Sequence, residues 1–517
     1  MSASTEKKLR RAEREAGIDK KAAAAKAEAE KKAKNNRRWS LVAAGIAVLV
    51  VVALVLGTGL PYKMTAYTVG DEKFSAAEVN QYYGSQFNNF VNSYGSYAAL
   101  FGLDTSNGPV GLEDQECYMV ENGGSWRDYF LDASKNAMIQ TVALSDYAKA
   151  NGIELTAEEL AEVDNSFVGL EDYVASYGYT TVDQFFSANY GAGVNEKLVR
   201  QGYVDSALCG KVIDVVSDTY EYSAAELEEK YQSYEGAQDV FSYLYYFVAA
   251  ETVETQNENG ETVTEATEET NAAAKAKADE IVKAFADAKG ENLEEKFNAA
   301  IASVVADASC TKQNSAGTSL FTAIEWMMDD SRVEGDIIAE ANSGASGYYV
   351  VVFAGRNDNH YNLVNVRHIL VKAYADENGV YTDEAKAAAK ADAEAILAEF
   401  LAGDKSEESF AALAEMYTED SASATNGGLY ENVTMGQMVE EFDEFCFAKH
   451  QKGDTAVVYG ESSAYAGYHV MYYVGEGQQY SDYLAMSDLL AADVSEWLQS
   501  LMDQYKTSEG FGMRLVG

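Results

Sequence analysis

The stretch that most constrains the fold runs from Asn365 to Gly475, and it begins and ends in a strand-like run. The first run is N-V-R-H-I-L-V-K (365–372) and the last is A-G-Y-H-V-M-Y-Y-V (466–474). Apolar and β-branched residues dominate both runs, and alternate positions fall on alternate faces of a strand. Between the runs, the spacing of apolar residues predicts helices over 383–401 and 407–416. This order predicts a small α+β domain with a strand at each end.

Histidines are rare in this chain, and they are concentrated here. The four histidines all lie between positions 360 and 469, and His368 and His469 each stand in the middle of one of the two strands. A single histidine in a buried strand is most often a core imidazole whose nitrogens are satisfied by neighbours. Two such strands that bracket one helical segment also fit a functional pair, and both interpretations are open at this point.

Seven sequence blocks of this stretch occur in a fixed order: V-R-H-I-L-V-K, S-F-A-A-L-A, S-A-S-A-T-N-G-G, G-Q-M-V-E-E-F, F-A, K-G-D and G-Y-H-V. In this order they resemble the parvulin family of peptidyl-prolyl isomerases. The resemblance implies that His368 and His469 face each other beneath the active site, and that Asp420 stands where parvulins place a Cys or an Asp. It thereby implies catalytic roles for these three residues. From the residues alone, Asp420 fits a turn cap equally well.

The resemblance also implies a pocket for the proline ring. It assigns the pocket to Met438 and Phe442, with Leu429 and Phe447 as walls. These residue types suit the reaction, because an X-Pro bond must cross a barrier of roughly 20 kcal/mol but no bond is broken and no nucleophile is needed. A dry apolar slot that prefers the twisted amide by about 4 kcal/mol would accelerate the reaction a thousandfold.

Two local features differ from the family or restrict its substrate. Parvulins usually continue G-G-D-L-G, whereas Gly427 and Gly428 are followed here by L-Y-E-N (429–432), a difference in the short strand that the resemblance places at the edge of the active site. The loop at 373–382 carries no Arg cluster of the kind that neutralises a phosphate. We therefore expect ordinary unphosphorylated chains as substrates.

The N-terminal part predicts a basic tail and a membrane anchor. Residues 1–38 carry thirteen Lys and Arg against six Asp and Glu, and Leu41 to Leu60 has no charge. Twenty helical residues span about 30 Å, the thickness of a hydrocarbon core. The basic side stays in the cytoplasm, so we expect a single-pass anchor over 39–60 with all later domains outside the cell membrane. A cleavable signal peptide is the alternative.

Residues 65–235 predict a helical domain. Capping boxes begin at Ser75, Thr156 and Ser223, and apolar residues follow at helical spacing. The order of these segments resembles the N-terminal chaperone region of SurA-like and PrsA-like foldases. That resemblance implies that the C-terminal segment 478–517, with a predicted helix over 481–505, folds back on the helical domain.

An internal repeat precedes the histidine-containing domain, which we bound at 360–477. Residues 236–359 contain a second strand, helix and strand in the same order, with Tyr243 and Tyr349 predicted at the two histidine positions. We interpret this copy as a parvulin-like domain without isomerase activity. The segment 254–271 is predicted as a loose acidic loop inside it.

The sequence as a whole predicts an α+β multidomain protein that isomerises X-Pro bonds and assists the folding of secreted proteins outside the membrane. The alternative is a holdase that shelters unfolded chains with a weak or inactive parvulin domain. A hydrolase that uses a histidine base is disfavoured, since no Ser or Cys nucleophile motif accompanies the histidines. The net charge of −44 disfavours nucleic acid as a partner. We expect no cofactor and no metal, while a homodimer and a Cys117–Cys209 disulfide are left open.

Overall fold

The structure is a computed structural model that describes residues 60–517 apart from 121–122, 257–261, 318–322, 345 and 378, together with 5–8, 10, 11, 32, 42 and 46. Two compact units are formed, one from residues up to 220 together with 492–517, and the other from residues 221–491. The predicted span 41–60 lies outside the described residues except at positions 42, 46 and 60. Among the residues that are described, no helix combines the length and apolar character needed to cross a membrane.

The first unit is mainly helical. It begins with a hairpin of β1 (Thr65–Val69) and β2 (Glu72–Ser75), which the sequence analysis did not predict. Its helices are α1 (Ala76–Tyr94), α2 (Trp126–Asn151), α3 (Ala157–Asn165), α4 (Leu170–Ser176), α5 (Val182–Tyr190) and α6 (Glu196–Ser217). Ser75 and Thr156 form capping boxes. Each hydroxyl accepts the backbone N–H of the glutamate three residues on, and the carboxylate of that glutamate accepts the backbone N–H of the capping residue.

The end of the chain completes this unit. Residues Thr507–Glu509 form a third strand antiparallel to β1, and Met513 is buried in the same core as Tyr83 and Trp126. The Arg127 guanidinium donates to the carbonyl of Val516 at 2.8 Å. The C-terminal residues are therefore part of the apolar core around α1 and α2.

The second unit contains two four-stranded antiparallel sheets built from the same order of elements. After α7 (Ala224–Gln232), the first comprises β3 (Val240–Ala249), β4 (Thr252–Gln256), β5 (Thr262–Ala266), α8 (Glu268–Asp287), α9 (Leu293–Val304), β6 (Thr311–Ala316), α10 (Ile324–Met327), β7 (Ile337–Ala341) and β8 (Gly347–Asn357). The second comprises β9 (Asn362–Ala373), α11 (Asp383–Ala402), α12 (Glu407–Tyr417), β10 (Leu429–Val433), α13 (Glu440–Phe447), β11 (Thr455–Glu461) and β12 (Ala466–Gln479), followed by α14 (Tyr480–Met502).

The strand orders of the two sheets, β6-β3-β8-β7 and β10-β9-β12-β11, correspond strand for strand. The predicted α+β class, with helical and four-stranded antiparallel parts, is confirmed. Residues 221–235, which the sequence analysis placed in the helical domain, lie in the second unit with the sheets.

Two details of the repeat differ from the sequence interpretation. The segment predicted as a loose loop contains the β4–β5 hairpin on either side of 257–261, and α8 already begins at Glu268. The strand register also corrects one histidine equivalent. His368 pairs with Met471 in the second sheet, and the corresponding pair in the first sheet is Tyr245 with Val351, two residues beyond the predicted Tyr243.

The second sheet has two different faces, and this difference positions the site. Ile369, Val371 and Val470 pack on one side against α11 and α12. The alternate residues face the other side, where Val366 and Met471 form a core with α13. His368 and His469 share this second face by strand alternation, so the pair lies between the sheet and α13.

Candidate active site

The two histidines form a hydrogen-bonded pair. His368 lies in β9 and His469 in β12, and the antiparallel register makes them diagonal neighbours on one face. Their Nδ1 atoms are 3.0 Å apart, and their rings are nearly parallel at 24°. Each side chain is only 3 % exposed, so the pair is shielded from water. The structure thus brings together the two residues that the sequence predicted to face each other.

Asp420 binds the outer nitrogen of this pair. Its Oδ2 atom lies 3.0 Å from Nε2 of His368 and accepts the hydroxyls of Ser423 at 2.6 Å and Tyr430 at 3.0 Å. Its Oδ1 atom accepts the backbone N–H of Ala422, two residues on, at 3.2 Å. Asp420 therefore caps a turn and holds the histidine pair at the same time, so the two roles are not alternatives.

The hydrogen bonds of the site fit one direction of donation. The Asp420 carboxylate can only accept, so Nε2 of His368 carries the proton and donates it. When His368 is neutral, its Nδ1 atom accepts and Nδ1 of His469 donates to it. Nε2 of His469 is left as an acceptor, and the hydroxyl of Tyr465 donates to it at 2.9 Å. The result is a chain of hydrogen bonds from Tyr465 through both rings to Asp420.

Burial and these hydrogen bonds shift the pKa values of residues in the site. The hydrogen bond from His368, with that from Ser423, holds the pKa of Asp420 below its usual 3.8 despite partial burial. Burial, together with the neighbouring His368, lowers the pKa of His469 to about 3. Burial raises the pKa of Tyr430 to about 12, and its bond to Asp420 acts in the same direction. At neutral pH the site therefore holds an ionised Asp420, a neutral His469 and a protonated Tyr430.

Phe442 forms the apolar side of the site. Its ring is 2 % exposed and meets both imidazoles edge to face, at 5.5 Å from His368 and 5.2 Å from His469. Met438 is half-buried in the same apolar cluster, just before α13 begins. Both predicted pocket residues therefore lie on the histidine face of the sheet.

The two predicted wall residues, Leu429 and Phe447, lie in different places. Leu429 pairs with Arg367, which places it on the opposite face of the sheet from His368, whereas Tyr430 pairs with Val366 on the histidine face. The prediction for Leu429 fails because a shift of one residue along a strand reverses the face. Phe447 packs at the edge of the apolar cluster, and its ring contact is with Tyr361 at 5.4 Å.

Two glycines allow close packing against the histidine residues. Gly428 has a φ of +73° and accepts the backbone N–H of His368, and a Cβ there would lie 2.2 Å from the His368 carbonyl oxygen. A Cβ on Gly460 would lie 2.7 Å from Nε2 of His469. These two positions therefore need glycine for the imidazoles to lie where they do.

Three residues of the site were missed by the sequence analysis: Ser423, Tyr430 and Tyr465. Strand alternation could have found Tyr430, since it is one residue from the wrongly assigned Leu429. The other two reach the histidines from loops, and spacing along the sequence gives no signal for such contacts.

The four cysteines are not paired with one another. Cys117, Cys209, Cys310 and Cys446 are all free thiols, so the disulfide that was left open is not formed. Within the described part of the chain, no group of His, Cys, Asp and Glu is arranged to hold a metal ion.

Comparison with known proteins assigns the domain. Residues 348–473, from β8 into β12, match the profile of the PPIC-type PPIase domain. No curated protein matches the sequence. The match defines the class of this domain, the parvulin-type peptidyl-prolyl isomerase domain, and it covers strands β9 to β11 and part of β12, which form the second of the two related sheets.

Solved structures similar to the chain include several foldases. PrsA from Bacillus subtilis is 14 % identical over 74 % of this chain and 88 % of its own, with a TM-score of 0.29. The foldase protein PrsA from Streptococcus pneumoniae is 10 % identical over 74 % of this chain and 89 % of its own, with a TM-score of 0.22. The peptidylprolyl isomerase PrsA from Bacillus cereus is 24 % identical over 28 % of this chain and 49 % of its own, with a TM-score of 0.19.

Proposed function

We propose that the second sheet isomerises X-Pro bonds in unfolded or newly secreted polypeptides, with His368, His469 and Asp420 beneath the reacting amide and Met438 and Phe442 gripping the proline ring. The observation that carries the proposal is the chain of hydrogen bonds from Tyr465 through His469 and His368 to Asp420, next to the buried ring of Phe442. Such a site combines an apolar ring with fixed dipoles, and the proposed reaction needs no charge on either imidazole.

This arrangement suits a reaction in which an amide rotates and no bond breaks. Rotation removes the C–N resonance, so the twisted amide differs from the ground state in shape and in the basicity of its nitrogen. Fixed donors and acceptors in a dry site favour that state without reorganising. The histidines, Asp420 and Tyr465 hold one another in a single orientation, which keeps the floor of the slot rigid.

Unphosphorylated chains are the proposed substrates. Arg367, the cation next to His368 in sequence, lies on the opposite face of the sheet and is bound to Glu407 at 3.1 Å and to the carbonyl of Gly427 at 3.0 Å. The Arg367 side chain is therefore bound within the domain and lies on the face opposite the histidine pair. Peptides with alanine before proline should be isomerised faster than matched phosphoserine peptides.

We propose that this activity lies outside the cytoplasmic membrane and that residues 41–60 form an uncleaved single-pass anchor. The same proposal includes the pairing of two copies of the protein. The charge difference between the tail and the rest of the chain supports the orientation. Protease treatment of intact cells tests the location, and sedimentation of the purified protein tests the pairing.

Isomerisation of a short X-Pro peptide by the purified full chain tests the function. We expect acceleration over buffer, lost in His368→Leu and kept in Tyr245→Phe, the matched change in the first sheet. The second candidate, a holdase, is favoured by the missing Asp and Gly after Gly428. A wild-type rate equal to buffer, with aggregation of an unfolded protein still suppressed, would establish the holdase instead.

A further inference from the structure

A short connecting segment, residues 358–361, joins the two sheets of the second unit. It follows β8, which ends at Asn357, and precedes β9, which begins at Asn362. Among the described residues, no helix or strand that belongs to the first sheet packs extensively against one that belongs to the second. The orientation of one sheet relative to the other therefore depends on what holds the connecting segment.

Helix α7 lies beside the connecting segment and is bound to the first sheet. The Tyr231 hydroxyl donates to Oδ1 of Asp239 at 2.9 Å and accepts a side-chain N–H of Asn359 at 3.0 Å. Asp239, which is buried, also accepts Nε of Arg356 in β8 at 2.6 Å. The same helix packs against α14, which follows the second sheet. Contacts between α7 and the connecting segment therefore affect both sheets.

His360 forms a second contact between the connecting segment and α7. Its Nδ1 atom lies 2.8 Å from the carbonyl oxygen of Asp358, and its Nε2 atom lies 3.2 Å from Oε2 of Glu228 on α7. Its ring meets the ring of Tyr231 edge to face at 5.4 Å. The His360 side chain is 30 % exposed, so it exchanges protons with solvent. None of its contacts is with the isomerase site.

Both atoms that face the His360 nitrogens are acceptors. A backbone carbonyl has no proton to donate, and the Glu228 carboxylate is ionised at neutral pH, since bonds from Gln232 and His360 lower its pKa. A neutral imidazole has one N–H and one lone pair, so it can donate to only one of the two oxygens. Its other nitrogen would then direct a lone pair at an oxygen lone pair. Only the imidazolium, with two N–H groups, can make both bonds.

We propose that protonated His360 bridges α7 to the connecting segment and holds the two sheets in one orientation, and that neutral His360 releases Glu228 and lets the sheets move relative to each other. The device controls where the isomerase site faces and leaves its chemistry unchanged. Only this consequence for substrates rests on the proposed function, because the bridge itself uses no residue of the site.

The charges around His360 determine the direction of the pH dependence. Burial opposes the imidazolium, but the bonds with Glu228 and Asp358 outweigh burial and raise the pKa of His360 above its usual 6.5. The bridge is therefore complete below pH 6.5 and is lost as the pH rises through the raised pKa. The other charged groups that line the cavity beside His360 are paired with one another: Asp239 and Asp330 with Arg356, and Asp329 with Arg332.

The test measures the distance between the two sheets in the full chain. Genetically encoded spin labels replace Lys283 on α8 and Lys390 on α11, both of which are exposed. Electron resonance at about pH 5.5 and about pH 8.5, on either side of the usual histidine pKa, gives the distribution of label distances. The distribution should be narrow at the lower pH and should broaden at the higher pH. Equal widths at the two pH values would overturn the inference.

His360→Gln cannot be protonated, and it should give the broad distribution at both pH values. Glu228→Gln, at a more exposed position, should do the same and should lower the pKa of His360 measured by NMR, which keeps the inference testable if the first variant does not fold. His450→Gln, in the second sheet, is the matched control and should keep the pH dependence. A pH-dependent width that persists in His360→Gln would refute the role of this histidine.

The isomerase assay separates this inference from the proposed function. His360→Gln should isomerise a short X-Pro peptide at the wild-type rate, because such a peptide does not depend on the orientation of the sheets. A wild-type protein that changes its label distances with pH and fails to isomerise the peptide would refute the proposed function and leave the bridge standing.

Discussion

The two sheets of the second unit show what a shared fold does and does not supply. In the second sheet the diagonal pair is His368 and His469, with Nδ1 atoms 3.0 Å apart. In the first sheet the corresponding pair is Tyr245 and Tyr349, with ring centroids 5.8 Å apart. An imidazole has a nitrogen on each side and can pass a hydrogen bond through itself, whereas a phenol carries its single hydroxyl at one end. The fold brings two rings together in both sheets, and in the second sheet the imidazoles are part of a hydrogen-bond chain.

The segments that connect the helices and strands also differ between the two sheets. In the second sheet, residues 418–428 join α12 to β10 and carry Asp420 and Ser423 to the histidines. In the first sheet, α9 and β6 are joined by the shorter segment 305–310. The four-residue α10 also stands where the second sheet has α13 with Phe442. The site thus depends on a loop and a helix added to a common sheet.

The largest expected effect comes from removing the aromatic side of the slot. Phe442→Ala should lower kcat/KM for an X-Pro peptide by roughly a hundredfold, which corresponds to about 2.7 kcal/mol of lost preference for the transition state. The cavity should also cost about 3–5 kcal/mol of stability. Phe353→Ala, on the equivalent face of the first sheet, is the matched control. It should cost similar stability and leave kcat/KM unchanged; equal losses of activity in both would remove the distinction between the sheets.

Acid should destabilise the second sheet more than the first. The pKa of His469 is lowered to about 3 by burial, so the unfolded chain takes up a proton below its usual 6.5 while the folded site does not. Stability is therefore present above pH 6.5 and is lost as the pH falls towards 3, by up to about 5 kcal/mol. The lowered pKa of Asp420 adds a further loss below 3.8.

Hydrogen exchange of β9 and β3 amides across this pH range measures the difference. Protection of β9 should fall towards acid, and His469→Asn should flatten that dependence above pH 4. The first-sheet strand β3, whose paired rings are tyrosines, serves as the internal control. Parallel loss of protection in both strands would show that the histidine pair is not the cause.

A smaller effect should follow from crowding the pair. A Cβ on Gly460 would lie 2.7 Å from Nε2 of His469 and 2.9 Å from Cγ2 of Val439. Gly460→Ala should therefore displace the ring from Tyr465 and lower kcat/KM about tenfold, equivalent to about 1.4 kcal/mol. Gly355→Ala in β8 of the first sheet adds a Cβ with no atom within 4 Å. If both substitutions prove equally harmless, the close fit at His469 is not needed for activity.

The sequence predicted the parts of this site that lie on regular elements. The resemblance to parvulins assigned His368, His469 and Phe442 to one site. All three lie on strands or a helix, where period two and period 3.6 determine the face of a residue. Leu429 was misplaced because the edge strand β10 is short, so its register depends on the glycine turn before it. Tyr465 and Ser423 could not be predicted, since a loop's path depends on tertiary contacts.

The smallest expected effect comes from Tyr465→Phe, which removes one hydroxyl and keeps the ring. Nε2 of His469 then loses its donor at 2.9 Å, and the proton between the two Nδ1 atoms is no longer fixed from that side. We expect kcat/KM to fall by about three- to tenfold, in keeping with about 1 kcal/mol for one hydrogen bond. Nitrogen NMR shifts of the imidazoles should show mixed tautomers in place of one. Unchanged tautomers with reduced activity would mean that the Tyr465 hydroxyl acts on the substrate directly rather than through His469.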